Sequence, residues 1–442
     1  MNNHTSHLTA TSPLSEWLSY LENHHIKAID LGLERVGFVA EKLNLLKPAP
    51  FVITVGGTNG KGSTCRFLEI TLLNAGFKVG VYSSPHLLRY NERVRIQNQE
   101  LSDEQHTASF FFIEQNKTES LTYFEFSTLS ALHLFKQANL DIVILEVGLG
   151  GRLDATNIVD NDLAVITTID IDHTDFLGET REKIAYEKAG IFRANKPVVI
   201  GDQNIPHTMM HQAQKLGCIL SCRNIDWEFK IEQNYWQWRG KKIQLNNLPF
   251  CQIPLENAAT ALAAIELLPF DVSNEIIIKA LKEVYLTGRF QTIQPEYLAT
   301  FAKLLKLPVG DFPQIIIDVG HNPQAANYLA EKLISLKLQK QGSIIAVCGI
   351  LKDKDEAGIF SPLLSVIDKW YCISLQGYRG QKGEELREKL LQLSPKTISE
   401  RYHSILKGVE SAVKNGNKND IIIIFGSFYT VSSFLNSIEN LD

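Results

Sequence analysis

The sequence contains little cysteine, with six in 442 residues. Only Cys218 and Cys222 lie close together, as C-x3-C, and no second pair of Cys or His residues completes a zinc site. The pattern is not that of a disulfide-stabilised secreted domain, so we expect free, buried thiols in a reducing cytosol.

Long apolar runs are missing, since no stretch approaches the ~20 apolar residues needed to cross a bilayer. The N-terminal stretch MNNHTSHLTATSPLSEW has no basic segment followed by an apolar one, so no secretory signal is expected. The sequence also has no large excess of charge of one sign, because 44 Lys+Arg and 49 Asp+Glu leave a formal net charge of −5. That balance disfavours a broad basic face for nucleic acid or an anionic membrane. We therefore expect a cytoplasmic protein with no nucleic-acid or membrane partner.

Short apolar, β-branched runs alternate with helix-length segments, which predicts a mostly parallel sheet covered by helices on both faces. A polar–aromatic alternation at 229–247 indicates a small antiparallel sheet, and 256–268 reads as a buried helix. The pattern predicts an α/β protein of two domains, a phosphate-loop domain at 1–292 and a smaller Rossmann-like domain at 293–442. The apolar runs lie at 51–55, 78–84, 141–148, 163–169 and 197–201, and then at 314–320, 343–350, 369–375 and 420–427.

The motif GGTNGKGST, from Gly56 to Thr64, follows an apolar strand and opens a helix, as a phosphate-binding loop requires. Its glycines let backbone N–H groups converge on phosphate oxygens, and the helix N-terminus adds partial positive charge. Lys61 would meet the outer phosphates as a point charge. The motif departs from G-x4-G-K-[ST], because Gly62 separates Lys61 from Ser63. A tight strand-to-helix turn would also account for the glycines.

Three further strand ends carry candidate residues. Glu146 lies near the end of one apolar run. A carboxylate at a strand end could hold magnesium, or it could simply be exposed to solvent. His173, among several aspartates, follows the next run in either a metal or phosphate role or a structural one. In the second domain, Asp318 and His321 are candidates for a contact with a nucleotide, but they would also fit the capped start of a helix. Arg289 could reach a phosphate or simply be a surface arginine.

Taken together, the motifs resemble the dihydrofolate synthase/folylpolyglutamate synthase family of the Mur ligase superfamily. The resemblance follows the chain in order, and nearly to its end. It rests on the blocks IDLGLERV (29–36), GGTNGKGST, YSSPHLLRYNERVRI (82–96), LTYFEFSTLSAL (121–132), LEVGLGGRLDATN (145–157), DHTDFLGET, EKAGIFR, GRFQ, DVGHNP, ILKDKD and FGSFYTV (425–431).

The resemblance implies roles for matching positions. Catalytic roles fall on Lys61, His173 and Lys188, the last carbamoylated, and two magnesium ions are implied on Ser84, Glu146, His173 and Lys188. The ATP site would comprise Gly57, Thr58, Asn59, Gly60, Lys61, Gly62, Ser63, Asn257, Arg289, Asp318 and His321. The pterin site would comprise Asp30, Leu31, Gly32, Leu33, Thr122, Tyr123, Phe124, Glu125, Gly151, Arg152 and Leu153.

The implied activity is ATP-dependent ligation of L-glutamate to dihydropteroate and to the γ-carboxylate of tetrahydrofolates through an acyl phosphate, by a monomer. The alternative within the family is a monofunctional folylpolyglutamate synthase. Outside it, the same phosphate loop would suit a Mur ligase acting on a UDP-sugar peptide or an ATP-hydrolysing switch. The segment PEYLATFAKLLKLPVGDFPQ exceeds the family's usual link and is predicted to form an extra helix.

Overall fold

The computed structural model describes residues 7–25, 27, 29–340 and 342–440. The chain divides into two compact units, Met1–Tyr285 and Leu286–Asp442. Strand pairing of Gln291 with Ile317 places the residues just before 293 in the second sheet, so the boundary expected after residue 292 lies inside the second unit.

The first unit contains two sheets and the helices around them. Its strands are β1 (Phe51–Gly56), β2 (Val79–Tyr82), β3 (Val94–Ile96), β4 (Gln99–Glu100), β5 (Ile142–Glu146), β6 (Leu163–Ile166), β7 (Pro197–Ile200), β8 (Ile219–Cys222), β9 (Glu228–Ile231), β10 (Trp236–Arg239) and β11 (Gln244–Leu248). Its helices are α1 (Leu14–His24), α2 (Glu34–Lys42), α3 (Lys61–Asn74), α4 (Asp103–Asn116), α5 (Tyr123–Gln137), α6 (Thr174–Leu177), α7 (Arg181–Ala189), α8 (His207–Lys215), α9 (Leu255–Glu266) and α10 (Asn274–Glu283), with 3₁₀ turns at Tyr90–Arg93 and Ala155–Ile158.

Within the described residues, the larger sheet has eight strands in the order β4-β3-β2-β5-β1-β6-β7-β8, and the smaller has the order β11-β10-β9. Strands β2, β5, β1, β6, β7 and β8 are parallel, while β3 and β4 run antiparallel. The mostly parallel sheet and the small antiparallel sheet predicted from the sequence are thus confirmed.

Both faces of the larger sheet are covered by helices, which explains why its strands are apolar on both sides. Val143 and Leu145 of β5 belong to a core with Trp17 of α1 and Phe110 of α4. Ile142 and Ile144 alternate with them and point to the other face, while α3 packs against β1, β2 and β5. The predicted buried helix at 256–268 is α9, whose residues from Asn257 to Glu266 are all buried.

The second unit has one six-stranded sheet in its described part, in the order β12-β13-β17-β14-β15-β16. All pairings are parallel except that of β12 with β13. The strands are β12 (Gln291–Thr292), β13 (Gln314–Asp318), β14 (Ile344–Cys348), β15 (Lys369–Ile373), β16 (Ser399–Tyr402) and β17 (Ile421–Phe425). The helices are α11 (Ala299–Leu305), α12 (Pro323–Lys340), α13 (Glu356–Phe360), α14 (Gly383–Leu393), α15 (Ile405–Asn415) and α16 (Phe428–Glu439), with 3₁₀ turns at Pro295–Leu298, Val309–Asp311 and Ser361–Leu363.

Helix α11 confirms the extra helix predicted in the long link before β13. The six cysteines are free thiols, as expected from their spacing. The expected burial is confirmed for four of them but is wrong for Cys218 and Cys251, which are half-buried. In the part of the chain that the structure describes, no helix combines the length and apolarity needed to cross a membrane.

Candidate functional site

Four neighbouring strands of the first unit end at one edge of the larger sheet. They are β2, β5, β1 and β6. The pairing of Val55 with both Glu146 and Val165, and that of Tyr82 with Leu145, bring their carboxyl ends level. Ligands in open α/β sheets bind beyond such strand ends. The segments containing Ser84, Glu146, the phosphate loop and His173 therefore leave the sheet side by side.

The phosphate loop makes a very close approach to two other segments. Gly57 has φ +144° and a Cβ there would lie 1.9 Å from Thr167 Oγ1. Gly60 has φ +86° and a Cβ there would lie 2.2 Å from Asn257 Oδ1. The loop therefore needs glycine at both positions, and the structure brings the predicted ATP residue Asn257, at the start of α9, against the loop.

Hydrogen bonds pin the loop to the segment after β6. The Thr58 N–H donates to the Thr168 carbonyl at 2.7 Å, and the Asn59 N–H to Thr168 Oγ1 at 3.0 Å. Lys61 Nζ bends back onto the Gly57 and Thr58 carbonyls, at 3.0 and 3.2 Å. Gly62 and Ser63 follow in the first turn of α3, where the helix N-terminus favours an anion. Hydrogen bonds thus hold the loop in place, and the Lys61 ammonium lies against the loop's own carbonyl groups.

Ser84 and Glu146 come together at the ends of β2 and β5. The Ser84 N–H donates to Glu146 Oε2 at 3.3 Å, and the Glu146 residue is only 6% exposed. Oxygen donors of this kind fit a hard divalent cation, which keeps several waters and also takes phosphate oxygens. Among the described residues, no group of three or more His, Cys, Asp or Glu side chains forms a metal site.

Lys188 is almost completely buried, at 3% exposure on α7. Its pKa is lowered to about 7, first by burial and then by the ammonium of Lys61. The carboxylates of Asp172 and Asp154 act in the opposite direction. His173 has the left-handed conformation, with φ 52°, and its Nε2 lies 3.9 Å from Asp172 Oδ2. Asp172 thus links the two predicted residues His173 and Lys188 electrostatically.

The glycine-rich loop after β5 packs against two elements. A Cβ at Gly148 would lie 2.5 Å from Cζ of Phe124, and one at Gly151 would lie 2.8 Å from the Glu187 carbonyl. The Arg152 guanidinium donates to Glu187 Oε1 at 3.0 Å, while the half-buried Leu153 follows it in the loop. The loop thus brings together two predicted pterin segments, the one at 151–153 and the one containing Phe124.

The predicted pterin residues at the start of α5 also perform a structural task. Thr122 Oγ1 accepts from the Glu125 N–H at 3.2 Å, and Glu125 Oε2 accepts from the Thr122 N–H at 2.8 Å. This reciprocal pair is a capping box, which by itself explains a Thr and a Glu three residues apart. The aromatic residues between them remain half-buried, and the Arg93 guanidinium lies 5.2 Å from the ring centroid of Tyr123.

The other predicted pterin segment precedes α2. Asp30 is half-buried, and its Oδ2 accepts a hydrogen bond from Arg35 Nη1 at 2.7 Å. Leu31, Gly32 and Leu33 follow it and are also half-buried. A Cβ at Gly32 would meet no atom within 4 Å, so neither space nor backbone conformation explains a glycine there.

In the second unit two of the predicted ATP residues, Arg289 and His321, lie against Phe428, and the third, Asp318, interacts with the charge of Arg289. Asp318 accepts from the N–H groups of Phe290 at 2.8 Å and Gly320 at 2.7 Å. Burial raises the pKa of Asp318, and the charge of Arg289 opposes that shift. Arg289 lies 5.1 Å from the Phe428 ring centroid and the His321 ring lies 6.1 Å from it.

Sequence reasoning missed several residues that support the site. Asp154 is buried and accepts the Leu149 N–H at 2.8 Å, which fixes the glycine-rich loop. Glu92 accepts three consecutive N–H groups, those of residues 87–89, at 2.6–2.7 Å, and so shapes the loop after Ser84. Phe428 lies within the FGSFYTV block. A single acidic or aromatic residue gives no periodic signal in a sequence. The one signal that could have identified these residues is their position inside the motif blocks.

Known proteins resemble this chain along its full length. The model of the Mur ligase middle domain matches residues 55–264, and that of the Mur ligase glutamate ligase domain matches residues 308–428. A dihydrofolate synthase/folylpolyglutamate synthase of Haemophilus influenzae is 64% identical, over 99% of this chain and 100% of its own length.

Two solved structures have the same fold. E. coli FolC in complex with DHPP and ADP has a TM-score of 0.90 at 49% identity, covering 98% of this chain and 99% of that one. A bifunctional folylpolyglutamate synthase/dihydrofolate synthase with Mn, AMPPNP and L-glutamate bound has a TM-score of 0.87 at 48% identity, covering 98% and 99%. The 64% identity to the Haemophilus protein extends over nearly the full length, and both Mur ligase domain models match. This chain therefore belongs to the dihydrofolate synthase/folylpolyglutamate synthase family of Mur ligases.

Proposed function

We propose that the protein uses ATP to ligate L-glutamate to dihydropteroate, forming dihydrofolate, and to the γ-carboxylate of reduced folates, forming folylpolyglutamates. The observation that carries the proposal is the phosphate loop, held against Asn257 at the same sheet edge as Ser84 and Glu146. The 64% identity to the Haemophilus relative, over 99% of this chain, supports the choice of substrates.

The chemistry consists of two displacements. A carboxylate oxygen of the acceptor attacks the γ-phosphorus of ATP, the bond to ADP breaks, and an acyl phosphate forms. The amino nitrogen of L-glutamate then attacks the acyl carbon, inorganic phosphate leaves with the electron pair, and the ammonium protons are lost to solvent. Phosphoryl transfer requires positioning and charge neutralisation more than covalent help from the protein. Lys61, close over the loop, is the residue that neutralises charge on the transferred group.

Ser84 and Glu146 would hold a divalent cation, which we propose to be magnesium, as a hydroxyl and a buried carboxylate offer the oxygen ligands that suit a hard ion. The cation supplies positive charge to phosphate oxygens during transfer. We assign a second cation to His173 and a carbamoylated Lys188. A pKa of about 7 leaves much of the Lys188 amine neutral near neutral pH. The neutral nitrogen is the form that attacks carbon dioxide, losing a proton to give a carbamate.

The pterin would bind between the segment 30–33 and the start of α5. Phe124, half-buried against Gly148, offers an aromatic face that suits a flat heterocycle. Arg152, 40% exposed in its side chain and paired with Glu187, provides positive charge for an anionic acceptor. Tyr123 and the loop at 151–153 would line the same pocket. Arg289, Asp318 and His321 are assigned to ATP, and we expect a cytoplasmic monomer.

A substrate panel tests the proposal. Purified protein with ATP and magnesium is supplied with dihydropteroate, tetrahydrofolate or a UDP-muramoyl peptide, each with and without L-glutamate, and ADP and the ligated product are measured. We expect glutamate-dependent products from the first two acceptors only. Product from tetrahydrofolate alone would indicate a monofunctional folylpolyglutamate synthase. ADP release without any need for glutamate would instead indicate an ATP-hydrolysing switch.

A further inference from the structure

Arg35, near the start of α2, connects the two segments to which the pterin is assigned. Its Nη1 donates to Asp30 Oδ2 at 2.7 Å, and its Nη2 donates to the Asp30 carbonyl oxygen. Its Nε donates to Glu125 Oε2 at 3.0 Å. One planar guanidinium therefore joins residues that are about 90 positions apart in the chain.

The contact is shielded from solvent on the Glu125 side. The Glu125 side chain is 4% exposed, that of Arg35 23%, and that of Asp30 26%. A charge-assisted hydrogen bond in such surroundings is stronger and more directional than one at the surface. The fork of donors in arginine fixes the distance and the angle between the carboxylates it joins, which a point charge does not do.

Of the other groups around Asp30, His25 reaches toward α5, with its Nδ1 2.8 Å from Ser120 Oγ, but Ser120 lies before the helix and outside its first turn. His25 Nε2 and Lys27 Nζ each lie 3.4 Å from an Asp30 carboxylate oxygen. The Lys27 side chain is 68% exposed, so its ion pair is weak. Glu125 is meanwhile fixed to the backbone of Thr122 by the capping box. Arg35 is thus the described side chain that ties Asp30 to the first turn of α5.

We propose that Arg35 is a positioning residue for the pterin, because it sets the separation between Asp30–Leu33 and the α5 turn that carries Phe124. This inference rests on the proposed function, which places the pterin between these segments. The residue acts through Asp30 and Glu125, without contact to the reacting carboxylate or to ATP. Its loss should therefore affect pterin binding far more than the chemical step.

The experiment compares Arg35→Met with wild type by steady-state kinetics. Methionine keeps a long apolar stem while removing every donor. We expect KM for dihydropteroate and for tetrahydrofolate to rise at least tenfold. KM for ATP should change less than twofold, and kcat at saturating acceptor less than threefold. Arg35→Lys, with one compact donor group, should recover only part of the loss.

Matched variants separate positioning from two simpler explanations. Lys27→Met removes an exposed cation from the same carboxylate and should leave every KM within twofold. In Arg35→Met the buried Glu125 carboxylate loses its charged partner, so Arg35→Met/Glu125→Gln is compared with Arg35→Met and with wild type. A double variant whose pterin KM falls back to the wild-type value would overturn the proposal, since an orphaned charge would then explain the effect.

Two other results decide the remaining possibilities. A parallel rise in the KM values for ATP and pterin, with a fall in the melting temperature, would show a merely structural role and overturn the proposal. An unchanged pterin KM in Arg35→Met, with wild type active on dihydropteroate, would refute only the role of Arg35. If wild type fails to use dihydropteroate, the proposed function fails first.

Discussion

Gly60 offers a test of the phosphate loop that does not depend on catalysis. Its φ of +86° is left-handed, and an alanine Cβ there would lie 2.2 Å from Asn257 Oδ1 and 2.7 Å from Asn257 Cγ. Gly76, after α3, has nearly the same φ of +90°, but a Cβ there would meet no atom within 4 Å. Substituting each with alanine separates backbone strain from steric overlap.

The expected magnitudes follow from these two geometries. A left-handed alanine costs ~1–2 kcal/mol, and the loss of freedom in the unfolded chain offsets ~0.4–1 kcal/mol of that. Gly76→Ala should therefore reduce the free energy of unfolding by about 1 kcal/mol. Gly60→Ala adds an overlap with the buried Asn257 side chain, and overpacking costs ~1–3 kcal/mol. Its total loss should be about 2–4 kcal/mol.

Calorimetry of the first unit's unfolding, without nucleotide, measures both variants. In a unit of this size each kcal/mol corresponds to about 2 °C, so we expect a shift of about 2 °C for Gly76→Ala and about 4–8 °C for Gly60→Ala. Asn257→Ala removes the overlapping atoms and should restore ~1–3 kcal/mol to Gly60→Ala in a double-mutant cycle. Equal losses at the two glycines, or no recovery with Asn257→Ala, would refute the close approach.

Three further predictions concern single side chains. Lys61→Ala should lower kcat for ligation at least ~10²-fold with a melting temperature close to that of wild type, and near-normal turnover would exclude its phosphate role. Glu146→Gln should raise the magnesium concentration for half-maximal activity at least tenfold, because a neutral amide is a weaker ligand than a carboxylate; an unchanged magnesium titration would contradict the assignment. Burial lowers the pKa of His106 to about 4, below its ordinary value, so the unfolded chain binds the proton first and stability falls as the pH decreases from about 6.5 to 4. Between pH 7 and pH 4, the free energy of unfolding measured in urea should therefore fall by up to about 3 kcal/mol less in His106→Gln than in wild type. An equal fall in the two proteins would show that the imidazole does not titrate in this way.

Much of the fold was accessible from the sequence because it rests on local patterns. Apolar β-branched runs marked the parallel strands, and the position of GGTNGKGST between a strand and a helix marked the phosphate loop. The Thr122 and Glu125 pair also has a local signal, T-x-x-E, which predicts the capping box found at the start of α5. The family resemblance assigned these two residues to the pterin, a role that stays a prediction.

Contacts between distant segments were not accessible in the same way. The fit of Gly60 against Asn257 and the link from Arg35 to Glu125 depend on how helices pack, and no spacing rule encodes them. The low pKa of Lys188 is likewise a result of burial. Helical spacing places Lys188 on the same face of α7 as Ile184, but only the packing of that face determines how completely the ammonium is buried. Sequence patterns locate elements, while tertiary packing determines the environment of each side chain.

The order of strands in the larger sheet has a consequence for the timing of synthesis. Strand β1 lies at its centre, yet its neighbours β5 and β6 begin only at Ile142 and Leu163. At ~5–20 residues per second, a ribosome needs about 5–20 s to reach β5 after β1 has been made. During that interval the apolar segment FVITV has neither of its strand partners, so the central strand of the sheet waits unpaired until the chain beyond Ile142 has been made.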